Sequence, residues 1–190
     1  MVDIEADIKN CIQVMQEGGV ILYPTDTVWG LGCDALNEAA VDKIFGIKHR
    51  PKEKSMIVLL ADARDILQYV AAPPPDIIAI VEGFERPTTV IYQQALGFAA
   101  NVVNADGSIA IRVTTDPFCK ALIKRLRRPI VSTSANISGA PTPPIYSMID
   151  SAVIGGVDYA VKHRRQDTAI TPPSRLVRIN DEGEIVVLRG

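Results

Sequence analysis

Imidazole and thiol are what this sequence is short of. His49 and His163 are the only histidines in 190 residues, so no Ser-His-Asp or Cys-His arrangement suggests itself. Cys11, Cys33 and Cys119 are odd in number and lack any CxxC spacing. That argues against a disulfide framework and a structural zinc, and for a reduced, cytoplasmic setting. No apolar run approaches the roughly 20 residues that span a bilayer, and the acidic, amphipathic start MVDIEADIKN is unlike a signal peptide. Neither sign of charge dominates. With 20 Lys and Arg against 22 Asp and Glu, the net charge of −2 argues against a dedicated nucleic-acid binder. Standard nucleotide signatures are also missing: Gly30-Leu31-Gly32 does not extend to G-x-G-x-x-G, and nothing matches G-x-x-x-x-G-K-[ST]. An enzyme with these shortages would work by positioning anions, without a covalent nucleophile.

What is present suits an ordinary soluble protein, with 47% hydrophobic and 22% charged residues. A chain this long can bury about 70% of its unfolded surface, so a single domain over 1–190 is expected. Ile4, Ile8, Cys11, Ile12 and Met15 recur at helical spacing, with Gly18-Gly19 as the stop. A strand over 20–23 follows, and Asn37 caps a second helix that runs out into KHRPKEK. MIVLL (56–60) reads as a buried strand, and Asp62 opens another helix. The three prolines of AAPPPD (71–76) make a stiff internal connection. TTVIY (88–92) and SIAIRV (108–113) are strand-like, and Asp116-Pro117 starts a helix to about Leu126. PIVST (129–133) is a further strand; SRLVRI and EIVVLR form the last two, joined around Glu182-Gly183. Strands and helices alternate without a regular βαβ beat. The expected fold class is α+β (mixed α/β), a twisted mixed sheet flanked by helices.

Several stretches could carry chemistry. YPTDTVWGLG (23–32) ends a buried strand with two threonines, an aspartate, the only tryptophan and two glycines. In STSANISG (132–139), no bulky side chain stands among Ser132 to Asn136, so a ligand can approach the backbone and meet hydroxyl and amide donors. The same residues also suit a self-capping strand-to-helix turn. Lys48 and Arg50, two apart, can clamp a polyphosphate or decorate a solvated helix end. Arg112 lies inside an apolar strand on the face of Ser108 and Ala110, so it needs a buried anion: an internal carboxylate or a ligand. The remaining positive charge is clustered at Lys52 and Lys54, at Lys120 to Arg128, and at Lys162 to Arg165. The second cluster reads as a solvated face, whereas the loops of the first and third compete as anion sites.

YPTDTVWGLGCDA, IFGIKHRP, SIAIRV and STSANISGAPT, in this order, resemble the YrdC (TsaC) family over nearly the whole chain. The resemblance implies a YrdC-like sheet curled around a positively charged cavity. It also implies an enzyme that makes threonylcarbamoyl-AMP from L-threonine, bicarbonate and ATP, with release of pyrophosphate. That product feeds the modification of the tRNA adenosine beside the anticodon, so tRNA is an indirect partner. By motif position, Thr25, Arg112, Ser132 and Ser174 match threonine contacts, with Arg112 on the carboxylate. Lys48, Arg50, Ser108, Ser134, Asn136, Thr142 and Arg189 match ATP contacts. Lys48 and Arg50, with a Mg²⁺ that accompanies ATP, would offset charge in the reaction; no protein-held metal site is expected. The alternative within the family is an RNA-binding or ribosome-maturation module, with weak RNA binding possible beside either reading. The chain departs from the family pattern at Ser55, Arg86 and Arg175, and no second domain like that of longer relatives is expected.

Overall fold

A computed structural model describes residues 3–51, 56–180 and 183–190 of the chain. Asp3 caps the first helix, α1 (Ile4–Gln16), accepting from the N–H groups of Glu5 and Ala6. Gly18 ends it at φ +74°, a left-handed conformation that glycine adopts at no steric cost. Ile8, Cys11 and Met15 of the apolar stripe are buried, while Ile4 stays exposed. Asn37 caps α2 (Glu38–Lys48) through Oδ1 to the Ala40 N–H, and Asp116 caps α5 (Pro117–Leu126) through Oδ1 to the Cys119 N–H. The helix expected after Asp62 is a 3₁₀ turn leading into the short α3 (Ile66–Tyr69). Two further short helices, α4 (Ile77–Glu82) and α6 (Ser151–Gly156), were not anticipated.

The strands are β1 (Ile21–Tyr23), β2 (Gly30–Gly32), β3 (Ile57–Leu60), β4 (Thr88–Tyr92), β5 (Ile109–Val113), β6 (Ile130–Ser134), β7 (Tyr159–Ala160), β8 (Arg175–Ile179) and β9 (Ile185–Arg189). They form one sheet in the order β7-β1-β2-β6-β3-β5-β4-β8-β9. It is mixed, as expected: β1/β7, β3/β5 and β4/β8 are parallel and the other pairs antiparallel. Strands before and after the AAPPPD connection interleave, so it divides nothing. The strand not foreseen within the polar motif is β2, where two glycines suggest a turn. A Cβ on Gly32 would lie 2.5 Å from Tyr23 Cε1 and 2.8 Å from the Val131 carbonyl. Glycine is there for close packing, not for turning.

Two features of the sheet place the site, a strand handover and its curvature. β6 leaves β3 after Ser132, which pairs with Ile57, and joins β2 at Thr133 and Ser134. The sheet forks there, exposing backbone and small side chains at its C-terminal end. The second feature is curvature. β2 and β9 are six inter-strand steps apart, about 29 Å in a flat sheet at roughly 4.8 Å per step. Gly30 of β2 and Arg189 of β9 nevertheless line one cavity of about 210 Å³. The sheet must curl to bring them together.

Candidate active site

The turn between β1 and β2 is a wall held by its own hydrogen bonds and by others that reach it from distant segments. Thr25 Oγ1 donates to the Val28 carbonyl at 2.8 Å, accepts from the Thr27 N–H at 3.0 Å, and lies 3.1 Å from Thr27 Oγ1. Outside groups hold four further carbonyls. Cys119 Sγ donates to that of Pro24, Arg164 to that of Thr25, the Thr171 hydroxyl to that of Thr27 and the Ala135 N–H to that of Trp29. The Thr25 hydroxyl, expected to read a substrate, is therefore committed to the turn, and Thr25 is 2% exposed. The threonine that faces the cavity is Thr27. Sequence spacing cannot separate the two, because which hydroxyl turns inward depends on the turn's conformation.

Arg112 has the buried anion that its strand position demanded. Its Nη2 lies 3.1 Å from Asp26 Oδ1, with side chains 4% and 7% exposed respectively. The pair is close without being well aligned: Arg112 Nε and Asp26 Oδ1 are buried and make no hydrogen bond. Asp26 Oδ2 is held by Thr114 Oγ1 at 3.2 Å and by the Thr115 N–H at 3.4 Å. Arg112 also lines the cavity, so the internal ion pair and a ligand role are compatible.

Of the two places the sequence left open for Lys48, a loop clamp or a helix end, the fold shows the helix end: it is the last residue of α2, but 1% exposed and not solvated. Its Nζ donates to the carbonyls of Ser134 and, at 2.7 Å, of Asn136, while the Ser138 N–H donates back to the Lys48 carbonyl at 2.8 Å. It thus stitches the SANISG loop to the end of α2. Burial, and then the nearby Arg50 charge, lower its ammonium from the ordinary 10.5 to about 8. Burial also lowers the half-buried Arg50. Asn136 braces the same loop, its amide donating to the Ala140 carbonyl at 2.8 Å. Ser108 Oγ donates to Asp106 and accepts from Asn104, committing it to its own turn.

The cavity itself is walled by Thr27, Val28 and Gly30 on one side, by Ser132, Thr133 and Ser134 at the fork, and by Met56, Ile57 and Arg112 beneath. Thr142, Pro173, Ser174 and Arg189 close it. Six expected residues thus meet there: Arg112, Ser132, Ser134, Thr142, Ser174 and Arg189. Thr25, Lys48, Arg50, Ser108 and Asn136 are not among the lining residues. Ser174 Oγ shares a hydrogen bond of 2.8 Å with Thr89, and Arg189 Nη2 donates to the Ser174 carbonyl at 3.0 Å. Among the described residues the wall carries two arginines and no carboxylate, so it suits an anion. Met56, Ile57 and Val28 supply an apolar side that no sequence signal distinguishes from core.

The basic clusters divide differently than expected. Arg125 pairs with Glu5 and Arg128 with Asp34. Both arginines of the third cluster, expected to compete for anions, are engaged internally. Arg164 meets Asp116 and Asp167, and Arg165 donates to the Ala160 and Val161 carbonyls. Lys52, Lys54 and Ser55 lie outside the described residues. Arg175 packs over Phe84 and Arg86 is exposed, so neither departure enters the cavity.

A family model named Sua5_yciO_yrdC, described as "Telomere recombination", matches residues 13–190. The chain belongs to the Sua5/YciO/YrdC family. The resemblance read from its motifs is borne out, and so is the YrdC-like mixed sheet. A Threonylcarbamoyl-AMP synthase of Xanthomonas euvesicatoria pv. vesicatoria is 36% identical over 158 residues, covering 82% of this chain and 84% of that protein. One from Idiomarina loihiensis is 38% identical over 124 residues, covering 64% and 67%. Among solved structures, P. abyssi Sua5 complexed with L-threonine superposes with a TM-score of 0.86 at 25% identity. It is matched over 100% of this chain, which spans 55% of the longer Sua5. Among the described residues of this family member, no helix is long and apolar enough to cross a membrane.

Proposed function

We infer that the chain is an L-threonylcarbamoyladenylate synthase, a nucleotidyltransferase acting on L-threonine, bicarbonate and ATP. Its product serves the threonylcarbamoyl modification of the tRNA adenosine beside the anticodon. The observation that carries this reading is the convergence of six motif residues on one cavity whose described lining carries two arginines and no carboxylate. Family relatives at 36% and 38% identity that bear the synthase name support it.

Threonine is placed at the Arg112 end, its carboxylate on the guanidinium fork and its hydroxyl among Thr27, Ser132 and Ser174. At about 210 Å³ the cavity is smaller than the roughly 300–1,000 Å³ that encloses a drug-sized ligand. ATP is therefore held by one end, with Ser134, Thr142 and Arg189 at the wall and its phosphates assigned to Arg50. Lys48 and Asn136 serve ATP through the loop that they hold. The threonine amine and bicarbonate give a carbamate and water. A carbamate oxygen then attacks the α-phosphorus, and the bond from that phosphorus to the pyrophosphate oxygen breaks. Charge growing on the phosphoryl oxygens and on the departing pyrophosphate is offset by Arg50 and Arg189.

Mg²⁺ would travel with ATP as part of the substrate. Among the described residues, no group of three or more His, Cys, Asp or Glu could hold a metal, and the wall offers no carboxylate. The test is pyrophosphate release with ATP and bicarbonate. It should require L-threonine and fall at least about tenfold with L-valine, whose missing hydroxyl leaves site groups unpaired. Equal turnover with valine refutes this account of the pocket.

A further inference from the structure

The wall on the threonine side is braced from outside by a segment that has no part in the reading above. Arg164 sits at φ +65°, a conformation a non-glycine residue keeps only when its surroundings over-determine it. Those surroundings are specific. The Asp7 carboxylate on α1, 1% exposed, accepts from the N–H groups of Lys162 and His163 and pins the residues just before Arg164. Arg164 Nη1 then meets two acceptors, the Thr25 carbonyl at 3.1 Å and Asp116 Oδ2 at 3.0 Å, while Nε donates to Asp167 Oδ2 at 3.0 Å.

Two routes run from this guanidinium to Arg112. The first is covalent: Thr25 immediately precedes Asp26, whose carboxylate pairs with Arg112. The second is a hydrogen-bond chain. The Asp116 N–H donates to Thr114 Oγ1 at 3.2 Å, and that hydroxyl donates to Asp26 Oδ2 at 3.2 Å. Both the backbone and the acceptor environment of Asp26 thus depend on where Arg164 sits. Arg164 itself does not line the cavity.

We propose that Arg164 is a positioning residue for threonine, holding the Thr25-Asp26 corner so that Asp26 orients the Arg112 guanidinium in the cavity wall. The proposal rests on the synthase reading of that cavity. Acceptors in three directions match a rigid planar guanidinium; a lysine ammonium on a flexible stem cannot hold all three in the same geometry. Because ion pair and cavity wall share one side chain, a small displacement of the corner misplaces the group that grips the carboxylate.

The experiment is steady-state pyrophosphate release by the full chain carrying Arg164→Gln, Arg164→Lys or Arg125→Gln, the last removing the exposed and distant Arg125–Glu5 pair as a control. In Arg164→Gln the KM for L-threonine is expected to rise about ten- to a hundredfold, with the KM for ATP changed no more than about twofold. Arg164→Lys should show a smaller rise of the same kind, and Arg125→Gln neither change. A merely structural brace lowers the melting temperature and the active fraction, which moves kcat and leaves the threonine KM in place. An unchanged threonine KM in folded Arg164→Gln overturns the proposal. If that variant does not fold, Arg164→Lys decides, and a wild-type threonine KM there overturns it equally. A wild-type chain that releases no threonine-dependent pyrophosphate refutes instead the synthase reading on which the proposal rests.

Discussion

Arg112 carries two burdens, and substitution separates them. With Asp26 it forms an ion pair in which both side chains are more than nine-tenths buried. Removing one partner of such a pair strands the other charge and costs about 3–5 kcal/mol. For a chain of this size that is a fall in Tm of roughly 6–20 °C for Arg112→Ala. Threonine affinity should drop about 30-fold or more, because a desolvated charged contact is worth about 2–5 kcal/mol. Arg112→Lys keeps the charge beside Asp26 and should melt closer to wild type. It should bind threonine nearly as poorly as the alanine variant, since the planar fork is gone. The double change Arg112→Met with Asp26→Leu removes both charges, so it should regain part of the lost stability without regaining threonine. Thermal melts and calorimetric titration of threonine, with and without ATP, read both quantities. A destabilised Arg112→Ala that binds threonine normally per folded molecule would place Arg112 in the scaffold alone. A variant that melts like wild type would show that the Asp26 pair holds nothing.

Two further expectations concern Lys48 and the glycines. Burial sets the Lys48 ammonium at about 8 against an ordinary 10.5, so between those values the unfolded chain binds more protons and this group's contribution to stability rises with pH. The neutral amine holds the Ser134 and Asn136 carbonyls less firmly, so kcat/KM for ATP should fall as pH rises through about 8; in Lys48→Arg that limb should move upward, and an unmoved limb counts against the assignment. Gly32→Ala puts a Cβ 2.5 Å from the Tyr23 ring and 2.8 Å from the Val131 carbonyl, and should cost about 1–3 kcal/mol in a denaturant titration. Gly46→Ala, with nothing within 4 Å inside α2, should instead stabilise by about 0.5–1 kcal/mol, and equal effects at the two positions would refute the packing account of Gly32.

Local signals were enough where local physics decides. Asn37 and Asp116 place their helix starts because each carries its own capping oxygen, and TTVIY reads as β4 because β-branched residues suit a pleated, half-buried surface. The apolar setting of Arg112 announced a buried anion before any partner was known. Four ordered motifs carried the family, and with it the synthase chemistry. What the sequence could not decide is the outcome of contacts between distant segments. Thr25 and Thr27 have the same chemistry two residues apart, and only the closed turn spends one hydroxyl and leaves the other at the cavity. Lys48 and Arg50 look like a loop pair until the SANISG carbonyls, 86 and 88 residues on from Lys48, draw its ammonium inward. The cluster at 162–165 looks free for anions until Asp7 and Asp116, from two other helices' ends, engage it. The ordered motifs therefore carried the family, and the apolar setting of Arg112 announced one buried anion site. The curl of a nine-stranded sheet determined which of the motif residues reach the cavity and which hold its walls, because burial and hydrogen-bond partners are properties of the packed chain.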